Sequence, residues 1–598
     1  MGAAPDEPLV LGTAGHVDHG KTALVLALTG RDTDRLEAEK ARGISIELGF
    51  APLVLPSGRR VSLVDVPGHE RFVRHMVAGA TGVDGYLLCL AADDGVMPQT
   101  REHLAVLGLL GVRSGVVAVT RADLADPAPA AAEVAALVGP DVEVVPVCAP
   151  RGEGIDDLRA ALDRLTGALR PRLRAGPPRL FVDRAFAVAG AGTVVTGTLW
   201  GGALARDDRV AVHPSGAVAR VRGLEVHDAP VERAGGGRVA VALSGVDRAG
   251  VPRGSCLVRA ADSWTPAGRL GVALTCLPEG GPPRSGRRLQ AFLGTAEVPA
   301  TWVLLDDALE AGGTGLAELR LERPVPAAAG DRLVLRSSER RTVAGALVLD
   351  PHPPAHLRRG ARRERLAVLA GGDPVAVLGL RLREAGAAGV PAGPAAEAHP
   401  EAVVLGGLAL HADVAVRARS AVLSAVGEEG ASVAAARAAS GLPGPAAAAL
   451  VARMAAAGEL AERGARIVPP GAAPALTPEA EALAGLLDAA GLRPPTVRQL
   501  GQEAGLPPGA LGAALAALRD GGRVIHADDL WFSAAALEDA RALAAAALAA
   551  GPMTLGELRD LWGVGRRHAL AIAAHLDASG LTVREGDRRA LRRSMRPS

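Results

Sequence analysis

The 598-residue sequence predicts a multidomain chain: an α/β domain, then two antiparallel β-barrels, then C-terminal tandem winged-helix modules. Three observations carry this. Over roughly the first 170 positions short apolar runs alternate with helical stretches, and a glycine-rich loop follows the first run. From about residue 173 the runs become short, β-rich and punctuated by glycine, as in closed antiparallel sheets. The last 245 or so residues repeat a pattern of helix, glycine turn, helix and short strand.

Composition narrows the function classes. The net charge is +1, so no global field marks nucleic acid or membrane as the partner, and any such surface must be a local patch. Lysine occurs only at Lys21 and Lys40 among 66 basic residues, so arginine is the default cation and a single arginine says little. Cys89, Cys148, Cys256 and Cys276 are far apart and form no CxxC pair, which predicts reduced, packed thiols and argues against a zinc site. The N-terminus has no basic leader, and no uncharged apolar run of about 18 residues occurs. The expectation is a cytoplasmic monomer that does not bind membranes.

In the α/β domain, Leu9–Gly12 reads as a strand and Ala23–Leu28 as a helix, with GHVDHGKT between them. That is the context a P-loop requires. Backbone N–H groups of Gly15, His16, Val17, Asp18, His19 and Gly20 would cradle phosphates at the helix N-terminus. Lys21 would reach the β- and γ-phosphates, and Thr22 would ligate Mg²⁺. A second buried run, Val61–Val66, ends in DVPGHE; Asp65, 44 positions past Lys21, is placed to hold Mg²⁺ through water, and the Gly68 N–H to approach the γ-phosphate. A third run ends in Thr120, Arg121 and Asp123, where the Asp123 carboxylate can accept from guanine N1 and N2. A fourth strand, expected over 142–147, leads to Cys148 and Ala149, whose N–H can bind guanine O6.

These motifs resemble those of translational GTPases of the elongation factor Tu class over residues 9–165. The resemblance implies GTP and Mg²⁺ as cofactors, and it implies that His69 orients the attacking water. Val17 and Ile44 match the apolar gate that holds this histidine back until the ribosome is engaged. Ser45 stands where the family has the threonine that meets Mg²⁺. Thr120 and Arg121 stand where it has asparagine and lysine, and Cys148 where it has serine. Lys21 and Ser45 are 24 positions apart, a short switch, and TDRL followed by EKARGISIELGF resembles the selenocysteine-specific elongation factors, the SelB family.

GTVVTGT and RVRGLEVH resemble the second domain of translational GTPases. By that resemblance Asp183, Arg184 and Arg253 form the aminoacyl pocket. A selenol is largely ionised at neutral pH, as a low-pKa thiol would be, so permanently charged guanidiniums could select it. A surface ion pair between Asp183 and Arg184 is the alternative.

The tail repeats Gly441-Leu-Pro, Gly505-Leu-Pro and Gly563-Val-Gly, each with a second glycine 17 positions on. This is the winged-helix plan, with the turn before the recognition helix. The first two recognition helices open on neutral, proline-rich residues. The third opens on Arg566, Arg567 and His568, and its wing and tail add Arg584, Arg588, Arg589, Arg592, Arg593 and Arg596. Contrast at equivalent positions, and not charge alone, makes the last module the expected RNA reader, with Arg566, Arg567, His568, Arg588 and Arg589 as contacts. An arginine-rich solvated tail is the alternative. The expected domains are 1–172 (P-loop GTPase), 173–262 and 263–353 (barrels), 354–412 (degenerate winged helix), 413–470, 471–533 and 534–598 (winged helices).

The resemblance implies an enzyme that hydrolyses GTP under ribosome stimulation, carries selenocysteinyl-tRNA, and docks through its last module on a SECIS hairpin of the mRNA. A general aminoacyl-tRNA carrier, a metabolic GTPase of the sulfate-activation type and a GTP-gated nucleic-acid-binding regulator are the rivals.

Overall fold

The computed structural model describes residues 8–34, 45, 47–68, 73–170, 176–190, 192–262, 264–281, 283–306, 309–463, 466–471 and 476–592. His69 and Ile44 lie outside them, as do Arg593 and Arg596. Two compact units emerge, residues 1–377 and 378–598.

The first domain is a six-stranded sheet in the order β2-β3-β1-β4-β5-β6, with β1 Leu9–Ala14, β2 Gly49–Val54, β3 Arg60–Asp65, β4 Gly85–Ala91, β5 Gly115–Thr120 and β6 Glu143–Pro146. All neighbours are parallel except β2 and β3. β1, β4 and β5 are buried at every position, as strands covered on both faces must be. Helices α1 (Lys21–Thr29), α2 (Val73–Ala80), α3 (Pro98–Leu109) and α4 (Pro127–Val138) connect the strands, and α5 (Ile155–Ala168) follows β6. Strand order reverses at β1, which has β3 on one side and β4 on the other. Ligands of open α/β sheets bind at the carboxyl ends of strands beside such a switch point. There the GHVDHGKT loop leaves β1.

Seven of the strands that follow form one sheet in which Arg209–His213 pairs with both Cys256–Arg259 and Val218–Val226, closing a barrel with Ala229–Val231 along its edge. A second barrel closes through Ala267–Cys276, Thr314–Val325, Ala296–Leu304, Arg288–Leu293, Arg332–Arg336 and Thr342–Asp350. A buried bidentate pair between Arg179 and Asp331 (2.6 and 2.7 Å) joins the two barrels, with the guanidinium 4.8 Å from the Trp264 ring centre. Desolvation opposes a buried ion pair, and paired geometry of this kind is what offsets it.

The first helix after the barrels, Arg359–Gly371, packs on the second barrel. Arg362 binds Glu318 at 3.1 Å, Arg365 pairs with Asp350, and Leu366 is buried against Gly271. The division into units falls at 377, inside the segment 354–412 expected as one degenerate module. Three helix–helix–helix–hairpin units follow. Their third helices are Gly444–Ala456, Pro508–Asp520 and Arg566–Ala578, and their strand pairs are 461–463 with 466–468, 524–527 with 530–533 and 582–585 with 588–591. Each Gly-Leu-Pro or Gly-Val-Gly turn lies directly before the third helix, with Gly441, Gly505 and Gly563 at positive φ.

Candidate nucleotide, aminoacyl and RNA sites

The loop after β1 is shaped by backbone sterics. Gly15 has φ 127°, and a Cβ there would lie 2.1 Å from the Cys89 carbonyl oxygen; Gly20, at φ 74°, caps α1. The Lys21 side chain is 7% exposed, and its ammonium donates to the carbonyls of Gly15 (3.1 Å) and His16. Burial lowers its pKa from the ordinary lysine value. Gly68 is pressed against the same loop: a Cβ there would lie 2.3 Å from Lys21 Nζ and 2.8 Å from Val17 N.

The loop is braced from α3. His103 Nδ1 accepts from Gly15 N at 3.0 Å, and Gln99 Oε1 accepts from Val17 N at 3.2 Å. A ring that accepts through Nδ1 is neutral at that atom, and burial pushes the His103 pKa down to about 3. Burial does the same to His19, down to about 4. Neither bracing residue was singled out from sequence, because both are more than 80 positions away in the chain.

Thr22, Ser45 and Asp65 meet. Thr22 Oγ1 lies 2.9 Å from Ser45 Oγ and donates to Asp65 Oδ2 at 2.9 Å. Thr33 donates to the same oxygen at 2.7 Å, Thr13 donates to Oδ1 at 3.0 Å, and Ser45 donates to Asp34 at 2.8 Å. The donor set is all oxygen with a single central carboxylate, which suits Mg²⁺ shared with phosphate oxygens and suits zinc poorly. Sequence reading missed Thr33, Thr13 and Asp34.

At the guanine end, the Thr120 hydroxyl donates to the His19 carbonyl at 3.0 Å. A shorter side chain thus keeps a tether between β5 and the phosphate loop. Arg121, at φ 55°, pairs with Asp93 (2.9 Å) and Asp94 (3.3 Å) and donates to the Asp18 carbonyl. Asp123 lies 3.5 Å from the exposed Arg151 guanidinium. Burial and then the adjacent Asp123 carboxylate push the Cys148 thiol above its ordinary pKa, so it is a neutral neighbour. Ala149 opens a single 3₁₀ turn through Arg151.

Asp183, Arg184 and Arg253 line one cleft of about 720 Å³, together with Glu47, Leu48 and Arg248. The surface-pair alternative for Asp183 and Arg184 fails. Asp183 is 7% exposed and is held by Arg238 (2.7 Å) and by Thr196 (2.8 Å). Arg184 instead reaches the end of the switch segment, donating to the Leu48 carbonyl and lying 3.4 Å from Glu47. Arg238 and Arg248 are the residues the sequence did not reveal.

In the last module Arg589 is 9% exposed and pairs with Asp577 at 3.0 Å, so it packs between hairpin and third helix rather than on the open surface. Its guanidinium ties the hairpin to the third helix, a role that charge contrast between repeats cannot distinguish. Arg566 and Arg588 are exposed, and Arg588 donates to the Pro552 carbonyl at 2.9 Å. Arg567 is exposed but pairs with Asp529 on the preceding hairpin. His568 is half-buried, 3.2 Å from the Pro494 carbonyl.

Three family models match the chain: Elongation factor Tu GTP binding domain over residues 7–168, Selenocysteine-specific elongation factor beta-barrel domain over 283–355, and Elongation factor SelB winged helix over 545–591. A selenocysteine-specific elongation factor of Desulfomicrobium baculatum is 41% identical over 399 residues, 64% of this chain and 62% of the relative. The chain thus spans less than two thirds of that relative's length. Elongation factor Tu 2 of Streptomyces avermitilis is 35% identical over 57% of this chain and 96% of its own. The crystal structure of a bacterial selenocysteine-specific elongation factor, EF-Sec, superposes with a TM-score of 0.65 at 26% identity, covering 98% of this chain and 100% of that one.

Proposed function

Because this chain belongs to the translational GTPases of the elongation factor Tu class, and has selenocysteine-specific elongation factors as homologues, we propose that it delivers selenocysteinyl-tRNA to the ribosome at recoded UGA codons while bound to an mRNA SECIS hairpin. The observation that carries the reading is the combination in one chain of an arginine-lined cleft at the switch segment with a winged-helix tail that general elongation factors do not need.

In this reading GTP sits on the loop from Gly15 to Thr22, with Lys21 between the β- and γ-phosphates. Thr22, Ser45 and Asp65 would hold Mg²⁺, which would supply charge stabilisation for phosphoryl transfer. Asp123 selects guanine, Ala149 N–H meets its O6, and Thr120 and Arg121 tie the base end to the phosphate loop. His69 orients water, gated by Val17 and Ile44. The protein's work is positioning and charge stabilisation, since phosphoryl transfer needs little covalent help. The cleft around Arg184, Arg248 and Arg253 takes the aminoacyl group, its cations favouring an ionised selenol over a neutral hydroxyl. Arg566 and Arg588 form the exposed core of the RNA-reading surface, and the protein works in the cytoplasm. Among the described residues no helix is long and apolar enough to cross a membrane.

The test is filter binding with two ligand pairs. The account expects the GTP-bound chain to hold selenocysteinyl-tRNA more tightly than the same tRNA charged with serine, and its tail to prefer an RNA hairpin to duplex DNA. Equal binding of the two charged tRNAs makes it a general carrier, and preference for DNA makes it a regulator.

A further inference from the structure

The Leu48-Gly49-Phe50 segment touches two sites at once. On one side Gly49 pairs with Asp65 across β2 and β3. A Cβ at Gly49 would lie 3.0 Å from Asp65 Cβ and 2.5 Å from Thr33 Cβ, so the backbone packs directly on the carboxylate that binds Thr22. On the other side the Phe50 ring carries two guanidiniums. The Arg238 carbon is 3.4 Å from the ring centre and the Arg184 carbon 5.4 Å. Arg184 is also bound by the Leu48 carbonyl, and Arg238 binds Asp183. The aromatic face thus holds the two cations flanking Asp183, in a chain with only six phenylalanines.

We infer that Phe50 is a positioning residue for aminoacyl selectivity. Its ring aligns Arg184 at the cleft and, behind it, the Arg238 that holds the cleft carboxylate of Asp183, and its strand transmits the docking of Ser45 and Gly49 on Thr22 and Asp65 to those guanidiniums. The inference rests on the aminoacyl reading of the cleft. The physical basis is that a ring face favours a cation at these distances, and that this contact strengthens as water is excluded. A phosphate-side rearrangement of the segment therefore moves Arg184, one of the cleft's cations, together with the Arg238–Asp183 pair behind it. Leucine at the position keeps the apolar volume and loses the ring face, whereas tryptophan keeps the face.

The experiment compares the full-length chain with Phe50→Leu and Phe50→Trp. For each, GTP affinity is measured, then affinity of the GTP form for one tRNA body charged with selenocysteine or with serine. Phe50→Leu is expected to keep GTP affinity and seryl-tRNA affinity and to lose about tenfold on selenocysteinyl-tRNA. Phe50→Trp is expected to keep the discrimination ratio. A wild-type preference that survives in Phe50→Leu, an equal loss on both charged tRNAs, or a tryptophan variant as poor as the leucine one overturns this inference alone. A wild-type chain without preference overturns the aminoacyl reading and this inference with it.

Discussion

Lys21 is one of two lysines in a chain that uses arginine nearly everywhere else, and its surroundings explain why it stays. Lys21 is 7% exposed and its ammonium threads between loop carbonyls, with Gly68 pressed close. A planar guanidinium fork does not fit there. Lys21→Arg is expected to weaken GTP binding by roughly ten- to a hundredfold, the worth of one charged hydrogen bond, and nucleotide titration reads it. His69→Ala is expected to leave GTP binding nearly intact and abolish ribosome-stimulated hydrolysis in a turnover assay. The buried histidines at the loop give a pH signature. His103 and His19 have folded pKa values pushed down to about 3 and about 4, below the unfolded value of 6.5. Unfolding therefore takes up protons below pH 6.5, so stability is full above that pH and falls as pH drops toward 4. His103→Gln is expected to flatten the decline in calorimetric unfolding temperature between pH 7 and pH 5, about the range in which an unperturbed histidine titrates. That Lys21, Thr22 and Asp65 gather at one loop was legible because the motifs fix their spacing. Gln99, His103, Thr33 and Arg238 were not, because they arrive from other elements and chemistry-bearing spacing does not link them.

The elements were legible where a period was strong. The apolar runs of β1, β3 and β5 announced the α/β domain, and glycine turns marked each third helix of the tail. What sequence could not rank was which arginines face out. Met553–Thr554 adds a strand beside Arg588–Leu591, and that pairing, with Asp577 nearby, draws Arg589 inward. Arg567 is exposed but already has a carboxylate partner on the neighbouring hairpin. Joint replacement Arg566→Ala with Arg567→Ala is expected to weaken hairpin binding and lower the slope of log affinity against log salt by about 1 to 2, one lost phosphate contact each. Asp529→Asn releases Arg567 and is expected to strengthen the same binding, with filter binding across a salt series checking both. Unchanged affinity and slope in the double variant would leave the tail's arginines as bystander charge.

At the scale of the molecule, the order of architectures followed from the sequence because each uses its own hydrophobic period: continuous runs, short alternating strands, then helical repeats. The least legible stretch was 354–412. Its first helix is arginine-rich and buries Leu366 among its residues, and nothing in that pattern reveals that Glu318 and Asp350 of a barrel are its partners. The nucleotide loop, the cleft beside Leu48 and the winged-helix tail have a joint purpose only if one event needs all three. The measurement that tests this most directly is selenocysteine insertion at an in-frame UGA in a reconstituted translation system containing this chain, GTP and selenocysteinyl-tRNA. The account predicts full-length product only when the matching hairpin follows the codon, with loss of product when Arg566 and Arg567 are replaced. Insertion that is indifferent to the hairpin, or ordinary aminoacyl-tRNAs delivered equally well, would contradict it.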